Sequence, residues 1–293
     1  MSESFFTGVC TALVTPLLDG KINYPMMQQL LRRQYDAGIR SVVVCGTTGE
    51  SATLTDEEKL ELVRRSKEYV RDRMQIIAGT GSNSTEHTVC LSKEAERCGA
   101  DGLLVVSPYY NKATPEGLIA HYMCVAKAVS IPLILYNVPS RTGLDIPVSV
   151  YKALSHIENI AGVKEATTDI TKIGKILSAC GRNFSVWSGN DDMTVPIMAL
   201  GGKGVISVAS NVMPELTNAM VHSALDGDFD TAAAINTKLQ PLHAALFREV
   251  NPIPVKRAMS IVGYDCGNCR LPLTEASEGT ADALRSAISG IKF

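Results

Sequence analysis

The sequence predicts a (β/α)8 barrel followed by an all-helical appendage. Short apolar, β-branched runs alternate with longer amphipathic segments, which is how parallel strands buried on both faces and their covering helices read in a sequence. The repeat is about 28 residues long, giving about eight strand–helix units in about 225 residues, the size of a unit in a closed barrel. After Pro214 the strand-like runs stop. A doubly wound sheet is the competing arrangement, but no G-x-G-x-x-G follows the first strand, where a dinucleotide-binding sheet carries one.

The elements follow in order. Residues 9–14 form the first apolar run. Pro25 opens an amphipathic stretch, 25–37, that closes on Ala37-Gly38, a proline start and a small-residue stop. Strand 41–45 precedes helix 56–70, which opens on Asp56, a residue suited to a helix start. Strand 75–78 precedes helix 84–98, which runs from Ser84 to the Cys98-Gly99 break. Strand 102–106 with helix 115–129, strand 132–136 with helix 147–154, and strand 160–164 with helix 169–179 complete the next three units. Strands 184–187 and 204–208 are the last two. Segments 214–225, 228–247, 254–262 and 280–289 read as helices. The expected division is a barrel over 1–225 and a helical domain over 226–293.

Composition narrows the partners. The chain has 293 residues, 45% apolar and 20% charged, with 28 Lys+Arg against 30 Asp+Glu and a net charge of -2. It lacks the basic stripe of a nucleic-acid binder, so no nucleic acid is expected. The eight cysteines are scattered, several within apolar runs such as Val42-Val43-Val44-Cys45, as reduced thiols in a cytoplasm would be. No leader-like basic and apolar sequence opens the chain and no apolar run approaches a membrane span, so a soluble, untargeted, cytoplasmic protein is expected.

Several chemistries have no support. There is no H-E-x-x-H, no G-x-x-x-x-G-K-[ST] and no G-x-S-x-G. Cys266 and Cys269 have the spacing of half a zinc site, but no second pair accompanies them, and they read as a reduced loop dithiol. Gly201-Gly202-Lys203-Gly204 resembles a phosphate cradle, yet it precedes a strand and so belongs to the barrel face away from ligands; it reads as a tight turn.

A barrel builds its active site where the strands end. Lys164 ends the run Ile160-Ala161-Gly162-Val163. Desolvation there favours the neutral amine, which can attack a carbonyl and form a Schiff base; a strand-end lysine that snorkels to water is the plainer alternative. Tyr136 ends the preceding strand, and a phenol there either relays protons or is simply half-buried. Thr47 and Thr48 lie between two glycines in a turn that can aim hydroxyls and N–H groups at a carboxylate. Arg141, on the loop beyond Tyr136, carries a fork suited to another carboxylate, or is merely solvated. Tyr109 and Tyr110 are adjacent on a polar loop and cannot both fold into one core, so one of them is expected to meet another subunit.

Together these stretches resemble the pyruvate-dependent class I aldolases that include N-acetylneuraminate lyase, and within them the dihydrodipicolinate synthase family. The likeness runs from Gly8-Val9-Cys10-Thr11-Ala12-Leu13-Val14-Thr15-Pro16 through Gly46-Thr47-Thr48-Gly49-Glu50 and the Tyr136 to Gly143 stretch with its Arg141. It continues through Asn251-Pro252-Ile253-Pro254-Val255-Lys256 to Arg270-Leu271-Pro272-Leu273. The sialic acid lyases usually carry Ser before the Thr and generally lack the Arg. The resemblance implies that Lys164 forms an imine with pyruvate, and that Tyr136, Thr47 and Tyr110 share a proton relay. Tyr110 would reach into a neighbouring subunit. Thr48 would hold the pyruvate carboxylate, Arg141 the carboxylate of L-aspartate 4-semialdehyde, and Gly189 and Ile206 would line the pyruvate pocket through backbone groups. The implied product is 4-hydroxy-tetrahydrodipicolinate, on the diaminopimelate route to lysine, made with no cofactor and no metal by a homo-oligomer, a tetramer built from dimers. A sugar-acid aldolase using the same lysine and a non-catalytic ligand sensor are the alternatives.

The same resemblance implies a lysine effector site at Ser51, Ala52, Asn83 and Tyr109. At positions where sensitive members carry His or Glu, this chain has Asp56, Lys59 and His87. A cation at Lys59 and the loss of a carboxylate at His87 both oppose a cationic effector, so weak or absent inhibition by lysine is expected.

Overall fold

The computed structural model describes residues 4–291. Eight parallel strands close into a barrel: β1 (Gly8–Ala12), β4 (Ser41–Val44), β5 (Gln75–Gly79), β6 (Gly102–Val106), β7 (Leu133–Asn137), β8 (Ile160–Glu165), β9 (Ser185–Ser188) and β10 (Gly204–Ser207). Between the first two lie β2 (Leu17–Leu18) and β3 (Lys21–Ile22), a small antiparallel hairpin. The sequence reading missed this hairpin, whose turn at Asp19-Gly20 has positive φ at both residues, the signature of a two-residue hairpin loop.

Helices cover the barrel: α1 (Tyr24–Asp36), α2 (Asp56–Val70), α3 (Thr85–Arg97), α4 (Pro115–Ala128), the single turn α5 (Pro139–Thr142), α6 (Val148–Leu154), α7 (Ile170–Cys180), α8 (Thr194–Ala199) and α9 (Pro214–Leu225). Their starts are built as the sequence suggests. Thr55 caps α2 in a reciprocal capping box with Glu58, and Thr114 caps α4 ahead of Pro115. The short α8 between β9 and β10 was not expected. It follows directly on a 3-10 turn, Asp191–Met193, and contains Pro196, so its sequence shows no helical period.

Alternation along each strand sorts the side chains. Outward residues such as Val42, Val44, Ile76, Leu103, Leu133, Leu135 and Val163 pack against the helices. Inward residues Cys10, Ala12, Val43, Ile77, Leu104, Ile134, Tyr136, Trp187 and Ile206 fill the tube. Phe6 plugs its N-terminal end, stacked on Trp187 at 4.6 Å between ring centres, and the Trp187 indole N–H donates to Phe6 O at 3.2 Å. The tube therefore opens only at the strands' C-terminal ends. Beneath the lysine-bearing end of β8, Gly162 has φ +151°, and a Cβ there would sit 2.0 Å from Ser185 O. Only glycine permits that approach of β8 to β9.

The last three helices, α10 (Phe229–Leu246), α11 (Ile253–Ile261) and α12 (Glu278–Gly290), share one apolar cluster with the barrel helices through Leu239, Leu242, Val255, Met259 and Leu284. Their placement brings the segments around Asn251 and Arg270 over the loop that follows β4. Among the described residues no helix is long and apolar enough to cross a membrane. All eight cysteines are unpaired; Cys266 is buried and Cys269 half-buried, and burial pushes their thiols up to about 12 and about 11. Gly201–Gly204 forms the turn leading into β10, at that strand's N-terminal end, as read from the sequence.

Candidate active site

Two adjacent strands set the centre of the site. Tyr136 of β7 and Lys164 of β8 are direct partners in the parallel register. Both point into the tube, and both are almost fully buried, 7% and 5% exposed. The Lys164 Nζ lies 4.4 Å from the centre of the Tyr136 ring. The amine is thus held against an aromatic face at the open end of the tube, with most of its solvent contact removed. Cys10 and Ile206, partners across β1 and β10, belong to the same inner layer. Burial pushes the Cys10 thiol up, against the opposing pull of the Lys164 charge, so the thiol stays protonated.

Behind these strands stands a polar network that sequence reasoning missed. Glu165 and Asn137 directly follow Lys164 and Tyr136, so alternation turns them to the outer face. Glu165 is fully buried. It accepts from Asn137 Nδ2 at 2.7 Å, from Tyr151 OH at 2.9 Å and from Thr167 N at 3.1 Å, and it pairs with Lys172 at 3.4 Å. Asp145 completes the set by pairing with Lys172 and accepting from Asn137 Nδ2 at 2.7 Å. Burial raises the Glu165 carboxyl while the Lys172 charge lowers it, and burial beside Glu165 raises the Tyr151 phenol. Every member has a partner, so the network locks the ends of β7 and β8 together. A Glu and an Asn ending two apolar strands were the available signal.

The turn after β4 carries Thr47 and Thr48. Gly49 N and Ser51 N both donate to Gly46 O, at 3.0 and 3.2 Å. Thr48 is buried, and its Oγ1 accepts from Asn251 Nδ2 at 2.9 Å. Glu50 is buried too; its carboxylate pairs with Lys256 Nζ at 2.5 Å and accepts from Arg270 N at 2.8 Å. Asn251, Glu50 and Lys256 were not singled out from the sequence, because their partners lie about two hundred residues away.

A cleft of about 670 Å³ runs over this mouth, with Thr47, Val138, Arg141 and Asn251 on its walls. Arg141 belongs to α5, is solvent-exposed, and donates from Nη2 to Asn251 O at 3.0 Å. Gly189 follows β9, where a Cβ would lie 2.8 Å from that of Ala166, and its N–H donates to Glu165 O at 2.7 Å. The far end of the cleft contains Ser51, Ala52, Asn83 and Tyr109, with Lys59 and His87. Asp56, whose orientation could not be read from sequence, binds both: Lys59 Nζ at 3.2 Å and His87 Nε2 at 2.6 Å. Burial opposes ionisation of Asp56, but the His87 and Lys59 hydrogen bonds outweigh it and hold the carboxyl below its ordinary value. Tyr110 stands apart from all of these, 91% exposed with φ +70°. Within one chain it is not gathered with Lys164, Tyr136 and Thr47.

The sequence profile of the Dihydrodipicolinate synthetase family matches residues 5–291. A 4-hydroxy-tetrahydrodipicolinate synthase of Acetivibrio thermocellus is 46% identical over 288 residues, covering 98% of each chain. The crystal structure of dihydrodipicolinate synthase from Aquifex aeolicus superposes with a TM-score of 0.95 at 45% identity, covering 97% of each chain. A solved structure described as a monomeric dihydrodipicolinate synthase variant gives 0.96 at 41% identity, covering 98% of this chain and 97% of that one. Along nearly its whole length, and with Lys164 and Tyr136 side by side at the open end of the barrel, this chain belongs to the Dihydrodipicolinate synthetase family.

Proposed function

We propose that the protein is a 4-hydroxy-tetrahydrodipicolinate synthase, condensing pyruvate with L-aspartate 4-semialdehyde, and that Lys164 carries the reaction. The observation that supports this most directly is the buried Lys164 amine, 4.4 Å from the Tyr136 ring at the mouth of the tube. In this reading the amine attacks C2 of pyruvate, and the carbinolamine loses water to give an imine. The imine draws electrons from the methyl group, which gives up a proton to form an enamine. The enamine carbon attacks the aldehyde, whose oxygen takes a proton. The amino group of the second substrate then adds to the imine carbon, expels Lys164 and closes the six-membered ring. These steps move protons at the carbinolamine and at the new hydroxyl, and Tyr136 and Thr47 are the groups assigned to relay them.

Thr48 is assigned to the pyruvate carboxylate, Arg141 to that of the semialdehyde, and the Gly189 and Ile206 backbones to the pocket wall. Tyr110 is assigned to a neighbour's relay, in a cytoplasmic tetramer built from dimers. Its exposure and its positive φ, which costs a bulky residue about 1–3 kcal/mol, suit a side chain held by a partner. The test is trapping. Borohydride with pyruvate should inactivate the enzyme and add pyruvate-derived mass on Lys164, and Lys164→Ala should stay folded while losing nearly all turnover. Mass on another lysine, or none, defeats the assignment.

A further inference from the structure

Asn251 joins the two places assigned to substrate carboxylates. Its side-chain Nδ2 donates to Thr48 Oγ1 at 2.9 Å, and its backbone carbonyl accepts from Arg141 Nη2 at 3.0 Å. Asn251 is 5% exposed and Thr48 3%, so water does not compete freely for either group. A threonine hydroxyl has one proton to give. If a neighbour accepted that proton, Thr48 would present only lone pairs to a substrate carboxylate, and the two would repel. A neighbour that donates to Oγ1 leaves the proton for the substrate. The Asn251 Oδ1 is itself buried and has no partner, so among the described residues Thr48 is the group to which the side-chain amide hydrogen-bonds.

We propose that Asn251 is a positioning residue for pyruvate: its amide N–H holds Thr48 Oγ1 as an acceptor and so directs the Thr48 hydroxyl proton to the pyruvate carboxylate. The inference rests on the assignment of Thr48 to that carboxylate. Because Arg141 is anchored by the Asn251 backbone carbonyl, which side-chain substitution leaves in place, the effect is confined to pyruvate.

Steady-state kinetics of N251A, N251D and T48V, with each substrate varied in turn, test this. N251A should raise KM for pyruvate about tenfold, the worth of one hydrogen bond to a charged group, with kcat and the semialdehyde KM within about threefold of wild type. N251D matches the native side chain in shape but can only accept, and it adds a negative charge near the substrate carboxylate. Its KM for pyruvate should rise further than that of N251A, to about a hundredfold. N251D at or below N251A overturns the proposal, since an acceptor-only, negatively charged side chain would then serve as well as the amide. In a T48V background N251A should add nothing. T48V that leaves the pyruvate KM unchanged overturns the Thr48 assignment and this inference with it, whereas T48V that raises it while N251A stays within twofold of wild type overturns this inference alone. Should N251D fail to fold by circular dichroism, the comparison of N251A with T48V still decides.

Discussion

Lys256 Nζ stands 2.5 Å from Glu50 Oε1, both side chains almost wholly buried, 3% and 1% exposed. This ion pair fastens the helical C-terminal part to the turn that carries Thr47 and Thr48. Lys256 also donates to Asn268 O at 3.1 Å. Removing one member of a buried pair strands the other charge, at about 3–5 kcal/mol, while replacing both by apolar groups is often near neutral. Lys256→Met should therefore lower unfolding stability by about that amount, and Glu50→Leu added to it should recover part of the loss. Urea melts of the two variants check this; a single variant as stable as wild type would show that the pair does not moor the turn.

If Tyr110 completes a neighbour's relay, two inactive chains can repair one another. Mixing Tyr110→Phe with Lys164→Ala gives hybrid dimers in which one site has a native lysine and a native tyrosine and the other has neither. Random exchange makes half the dimers hybrids, so about one quarter of wild-type activity should return. Mass spectrometry confirms exchange and a turnover assay reads the recovery. No recovery after verified exchange would place Tyr110 in its own chain's site or outside the chemistry.

The barrel was legible because each strand carries its own signal. Gly102–Val106 and Asp56–Val70 were read with the bounds they have, the latter because its cap and acidic first turn lie in adjacent residues. Lys164 and Tyr136 were legible for a related reason, as polar groups ending apolar runs on the inward phase. The supports of these residues were not. That Glu165 faces outward follows from alternation, but its partners Asn137, Tyr151 and Lys172 come from β7, α6 and α7, which only the closed barrel gathers around it. Asn251 meets Thr48 across 203 residues. No local pattern encodes such a contact; it exists only once α10 and α11 have docked.

Acid should weaken the fold through His121. Its Nδ1 lies 2.9 Å from Thr85 Oγ1, its Nε2 is buried without a partner among the described residues, and its ring sits edge-on to Tyr122. Burial holds its pKa down to about 4, against an ordinary value of about 6.5. Above the ordinary value both folded and unfolded states are neutral, and the residue gives no pH dependence. Between there and pH 4 the unfolded chain binds a proton that the native state refuses, so stability falls as pH falls, by about 1.4 kcal/mol per unit. His121→Gln should flatten the slope of stability against pH by about that much in this window. Urea melts at pH 7, 5.5 and 4.5 read it; an unchanged slope would mean that His121 is protonated in the folded protein.

Lysine should inhibit weakly or not at all. Ser51, Ala52, Asn83 and Tyr109 lie together in the cleft, as an effector site at those positions requires. Beside them, however, the Asp56 carboxylate is already engaged by Lys59 at 3.2 Å and His87 at 2.6 Å. Its charge is spent within the protein, as is that of Lys59, so the corner offers no net attraction to the amines of an incoming lysine. His87→Glu should turn this corner acidic and strengthen inhibition about tenfold or more, since a unit charge at contact distance is worth over 1.4 kcal/mol at a partly buried site. Initial rates at saturating pyruvate over a lysine titration test both statements. Half-inhibition of the wild type below millimolar lysine would show that the Asp56 cluster opens to admit the effector, and an unresponsive His87→Glu variant would remove the electrostatic explanation.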